Sequence, residues 1–87
     1  MKAEQFWQEH GFSLTATGGN CTALIREATE DRKEILITTG EAQAPKTTEE
    51  KHCVYFVNGE GYIEKGIEAQ NAKGALEVVN IYDGRRN

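Results

Sequence analysis

A chain of 87 residues, 38 % apolar and 28 % charged, has room for one domain and one thin core, burying roughly 60–65 % of the surface exposed when unfolded. Its net charge of −4, with basic side chains scattered rather than striped, argues against nucleic-acid binding and falls short of an acidic DNA mimic. The longest apolar run, Val54 to Val57 with Cys53 before it, is too short to span a membrane as a helix.

Residues Lys2 to His10 suit a short helix. Phe6 and His10 are spaced i, i+4 with Ala3 and Trp7 beside them, and Gly11 sits where a terminator belongs. This helix should pack Phe6 and Trp7 onto a sheet. The same N-terminal stretch lacks the apolar centre of a signal peptide, so a cytoplasmic protein with both cysteines reduced is expected. Two β-patterned runs follow, roughly 12–17 and 21–27. Phe12, Leu14 and Ala16 alternate with Ser13, Thr15 and Thr17, and Cys21, Ala23 and Ile25 alternate with Thr22, Leu24 and Arg26. The turn Thr17-Gly18-Gly19-Asn20-Cys21-Thr22 joins them, because Gly and Asn tolerate the positive φ that short hairpin loops need.

The polar connection over 28–33 leads to a third strand at Glu34–Thr39, rich in β-branched residues. From Gly40 to Lys51 the chain is polar again. A loop this long in so small a domain is either mobile or functional. His52–Val57 reads as a fourth strand within the sheet, its apolar run nearly continuous. Asn58-Gly59 is a strong short-hairpin signal, so a fifth strand should return over Gly61–Lys65 with a bulge at its start.

Towards the C-terminus, Ala72, Ala75, Leu76, Val79 and Tyr82 fall on one helical face, with Asn71 as N-cap and Gly84 as stop. Gly74 counts against a helix, and Leu76–Tyr82 could instead run as a strand. The helix is favoured because its apolar face persists for three turns. The expected fold is a single α+β domain over 1–87. A four- to five-stranded antiparallel sheet is flanked on one face by a short N-terminal helix and a C-terminal helix.

The chemistry-bearing residues are few. Cys21 follows a glycine turn that could lower its pKa, but a nucleophile needs a base, and His10 and His52 are the two histidines. His52 adjoins Cys53 on a strand, so their side chains point to opposite faces. Cys21, alternating in phase with Ala23 and Ile25, reads as a core residue rather than a catalyst. No Cys/His spacing suggests zinc, and no metal or cofactor is expected. Gly18-Gly19-Asn20 lacks the lysine and the following helix of a phosphate loop. Glu64, Glu68 and Glu77 read as solvated, and Trp7 and Tyr62 as core or core-edge. Thr15, Thr17, Asn20 and Thr22 crowd hydroxyl and amide groups around one exposed tip, where a partner's backbone or a small polar ligand could bind.

The run from Gly11 to Leu24 resembles a pattern, G-F-x-L-x-x-T-G-G-x-C-T-A-L, found in small proteins of phages and prophages. The resemblance extends to Ile35-Leu36-Ile37-Thr38 and Ala44-Pro45-Lys46-Thr47. It implies a small accessory protein of a mobile genetic element, acting in an infected or lysogenic bacterial host, and it carries over no catalytic residue. The expected role is therefore non-enzymatic: binding and inhibition of a host protein or defence complex, in the manner of anti-CRISPR proteins. Expected partner-binding residues are Thr17, Gly18, Gly19, Asn20 and Thr22 at the tip, with Lys46 and Thr47 in the long loop. The alternative is a small-molecule binder that sequesters a nucleotide signal. A homodimer is expected if the third strand lies at a sheet edge.

Overall fold

Period-two alternation carries the chain through five strands, each paired with the strand before it in sequence. The structure, a computed structural model, describes residues 2–27 and 34–84. The elements are α1 (Ala3–Gln8), β1 (Ser13–Gly18), β2 (Cys21–Glu27), β3 (Glu34–Thr38), β4 (His52–Val57), β5 (Ile63–Ala69) and α2 (Ala72–Gly84). The strands form one antiparallel sheet in the order β1-β2-β3-β4-β5. Both helices pack on one face of it, which is the α+β architecture the sequence predicts. The predicted connection 28–33 lies outside the described residues.

The strand order decides where an edge can be. Ile37 of β3 pairs with Leu24 on one side and with Val54 on the other. An edge position for β3, the condition set for a homodimer through that strand, is overturned, because both of its sides are already hydrogen-bonded. The sheet edges are β1 and β5.

One face of the sheet makes the core. Leu24, Ile35, Ile37, Val54 and Phe56 are buried there against Ala3 and Trp7 of α1 and Ala72, Ala75 and Val79 of α2. Alanine at the helix contact points lets both helices approach the strands closely. Trp7 is fully buried; its ring meets Phe12 at 4.9 Å and Phe6 at 5.0 Å, both edge-on, a favoured aromatic geometry. Gly11 ends α1 with φ +87°, which allows Phe12 N–H to reach back to Trp7 O at 3.0 Å. In α2, Asn71 caps the first turn by accepting from Gly74 N–H at 2.9 Å. Tyr82, one turn beyond Val79 on the same side, stacks on Phe56 at 4.0 Å. The helical reading of this segment holds, and the strand reading is overturned.

Three local expectations are corrected. Asn58-Gly59 does not form a two-residue turn. Asn58 Oδ1 instead accepts from Glu60 N–H and Tyr62 N–H at 2.9 and 3.0 Å, and Gly61 takes the positive φ. This wider loop delays β5 to Ile63, and β5 then runs on to Ala69. The predicted bulge is present, as a register shift opposite Phe56 and Val57. Tyr62 stands 69 % exposed on the loop rather than in the core. Cys21, Ala23 and Ile25 also lie on the face away from the helices. Leu24 is the β2 residue that enters the core, because the helices cover its side of the strand.

Candidate functional site

The hairpin tip is built by backbone conformation. Gly18 and Gly19 adopt φ +126° and +56°, whereas Asn20 keeps a negative φ. Glycine at the first central position is what a type II′ turn requires. Gly18, Gly19 and Asn20 are all exposed.

The long polar segment is ordered against this tip. Thr39 N–H donates to Gln43 O at 2.7 Å, and Ala42 N–H to Thr39 O at 3.3 Å. The turn drives Ala42 to φ +61°, the one non-glycine residue in the left-handed region among those described. That strain is held in place from β2. Thr22 N–H donates to Ala42 O at 3.2 Å, and Ala44 N–H donates to Thr22 Oγ1 at 2.9 Å. Thr22 Oγ1 donates in turn to Gln43 Oε1 at 3.1 Å, while Gln43 Nε2 donates to Asn20 O. Gln43 is thus the hub joining tip to loop.

Farther along, the same segment grips the N-terminus. Ala3 N–H donates to Lys46 O at 3.0 Å, and Lys2 and Thr47 form an isolated antiparallel bridge. Glu50 accepts from Thr47 N–H at 3.1 Å and from Thr47 Oγ1 at 3.2 Å. Thr48 O accepts from Ala72 N–H at 2.8 Å, which ties in α2. The loop that reads as mobile or functional is a strap fastened to β2, to the N-terminus and to α2.

This strap and β1 border a groove of about 510 Å³, lined among others by Lys2, Glu4, Leu14, Thr22, Pro45 and Lys46. Of the residues expected to bind a partner, Thr22 and Lys46 meet here, with Thr47 adjoining. Thr17 does not. It lines a second groove, of about 270 Å³, on the opposite sheet face with Ala23, Leu36, Ala42, Tyr55 and Ile63. Thr17 and Ile63 come from opposite edges of the sheet, and its right-handed twist curls both corners towards this open face. The tip hydroxyls therefore divide between two faces, and the expectation of a single cluster at the tip is corrected.

Two residues that the sequence did not single out matter most. Gln43 lies more than twenty positions from Thr22, a separation that no local periodicity reveals. Leu14 looked like half of an alternating hairpin, yet it is 47 % exposed at the mouth of the first groove.

The titratable groups are dispersed. His52 is buried with its ring 5.9 Å from Trp7, and its Nδ1 lies 2.8 Å from Glu50 O. Burial holds its pKa below the usual histidine value, against the opposing pull of the Glu50 carbonyl and carboxylate. His10 packs beside Phe6 and Trp7 on the helix side, whereas Cys21 lies on the open face. The sheet separates this candidate nucleophile from its candidate base. His52 and Cys53 likewise point to opposite faces, as predicted. Both cysteines are free, and the described residues hold no cluster of three metal-ligating side chains. No described helix is long and apolar enough to cross a membrane.

Comparison with family models, with curated proteins and with solved structures gives no match to this chain.

Proposed function

We propose that this protein is a non-enzymatic accessory protein of phage type that binds and inhibits a host factor, a bacterial defence component being the leading class. One observation carries the reading. Thr22 and Gln43 stitch the hairpin tip to the 39–47 strap, so two polar segments distant in sequence present one pre-ordered, exposed surface. Pre-ordering lowers the entropy cost of association, and strain held at an exposed turn, as at Ala42, is a recurrent mark of binding loops. An interface of about 800 Å² per partner needs more than either segment alone, and together they supply a continuous patch. The test is a pull-down from bacterial lysate with the full chain at about 10 µM. A stoichiometric partner supports the reading, and its absence counts against it.

The alternative, sequestration of a small nucleotide signal, is supported by the groove of about 510 Å³ with Lys2 and Lys46 on its wall, a volume within the range of ligand sites. Thermal-shift measurements against cyclic dinucleotides and ADP-ribose derivatives separate the two. Flat melting curves remove the alternative.

A further inference from the structure

We propose that β1 is a docking edge that accepts an extended segment of another protein as a sixth strand, with alternate apolar side chains and an acidic one beside Lys46. The proposal rests on the protein-binding reading above and names the surface that does the binding.

The edge itself is the first observation. Ser13-Leu14-Thr15-Ala16-Thr17-Gly18 is exposed at all six positions and contains no charge and no proline. Its outer main-chain groups face away from β2, and among the described residues nothing pairs with them. Exposed edges normally carry a guard, because unpaired N–H and C=O groups recruit other strands. Both edges carry a register irregularity, but the opposite edge is also charged: β5 bears Glu64, Lys65 and Glu68, whereas β1 has no charged residue. A chain that guards one edge and leaves the other bare has the form used for strand addition, where main-chain bonds give affinity and flanking pockets give specificity.

The groove beside β1 supplies the specificity. Leu14 stands at its mouth, so an apolar residue of the incoming strand buries against it. Lys2 and Lys46 line the wall with one acid, Glu4. The lysines outnumber the acid, so the lining is net positive and favours an acidic side chain. On the other face, Ser13, Thr15 and Thr17 present hydroxyls suited to Thr or Val across the pair. The same charges argue against a second copy of this chain as occupant. Antiparallel β1–β1 pairing would bring two lysine-bearing margins together.

The experiment pans a phage-displayed random library of linear peptides, each about ten residues long, against the immobilised full chain. Enriched peptides should alternate apolar residues and include Asp or Glu. A synthetic enriched peptide titrated into isotope-labelled protein should shift the amides of residues 13–18 and slow their hydrogen exchange. Leu14→Lys should weaken binding by about tenfold or more, and Lys46→Glu should invert the preference from acidic to basic peptides. Both positions are exposed, and the melting temperature of each variant reports that it folds. The proposal is overturned if no peptide is enriched, or if the shifts map to Leu36 and Tyr55 on the open face. A dimer in sedimentation, with residues 13–18 protected before peptide is added, also overturns it. Lysate pull-down separates the two levels of argument. Equal recovery by wild type and Leu14→Lys sinks the edge while the binding reading stands; no recovery by wild type sinks the reading itself.

Discussion

The two edge strands have the same fold position and opposite construction. β5 is seven residues long, charged at Glu64, Lys65 and Glu68, and backed by the 13-residue α2. Its Gly66 is roofed by Tyr55: a Cβ there would meet the ring at 2.9 Å. An aromatic covering an edge glycine is a known way to secure a sheet. Lys51 and Glu68 add an ion pair at 3.6 Å, too exposed to contribute much. β1, by contrast, is uncharged and exposed throughout, and its one helix, α1, is six residues long. One edge is finished within the chain, and the other depends on a single tryptophan and a borrowed strap.

The sharpest way to break this comparison is Trp7→Ala. Removing the largest buried side chain should cost about 3–5 kcal/mol in urea unfolding, with hydrogen exchange accelerating first in β1. A loss below about 2 kcal/mol, or one felt first in β5, would show that α1 does not hold the bare edge.

Next in size is Thr22→Val, which keeps the shape but leaves the half-buried Ala44 N–H without its acceptor. The expected loss is about 1–3 kcal/mol, and Thr22→Ser should recover most of it. A silent Thr22→Val would mean that the main-chain bonds to β2, the N-terminal segment and α2 hold the strap without the hydroxyl.

His52 lies on the seam between the two halves, paired with Ala69 of β5 and packed against Trp7. Its folded pKa is below the ordinary value of 6.5. Above pH 6.5 it is neutral in both states and contributes no pH dependence. As pH falls below 6.5 the unfolded chain takes up the proton first, so stability declines by up to about 1.4 kcal/mol per pH unit until the folded pKa is reached. Urea midpoints measured from pH 8 downwards, about half a unit apart, should show this slope in wild type and lose it in His52→Phe. Identical slopes would remove His52 from the seam argument.

The smallest effect is at the strap's own turn. Ala42→Gly relieves a left-handed residue, worth about 1–2 kcal/mol, and gives back part of that as unfolded-state entropy. The net gain should be under about 1 kcal/mol, read as a modest rise in melting temperature. A fall would mean that the Ala42 methyl, on the wall of the open-face groove, packs more than its backbone strains.

What the sequence made legible follows from range. Elements whose signal is local, such as Phe6 and Trp7 on α1, the II′ hairpin, and Ala72-Ala75-Val79 on α2, are where the pattern places them. The loop at 58–62 was misread because Asn58-Gly59 suits a two-residue turn, yet Asn58 uses its side chain to span a wider one. The more apolar face of β2 is Cys21-Ala23-Ile25, so periodicity favours Ala23, and only the packing of the helices onto the other face puts Leu24 in the core. The candidate site was legible only in part. Thr22 and Lys46 converge because Gln43 bonds across 21 positions of chain, and nothing in the local alternation announces that bond.

The order of the strands also sets a timetable. Every sheet pairing joins neighbours in sequence, so a growing chain can zip each strand onto the last without waiting for a distant partner. Short-range topology of this kind favours folding on the order of milliseconds. The element ahead of β1 is the exception. α1 leaves the start of the chain but finds its seat on His52, and the Ala3 N–H finds its acceptor at Lys46. During synthesis Trp7 can meet Phe12 at once, whereas its contact with His52 waits until β4 has followed. The segment ahead of β1 therefore waits longer for its partners than any strand does, and its bond to Lys46 is what fastens the strap at that end.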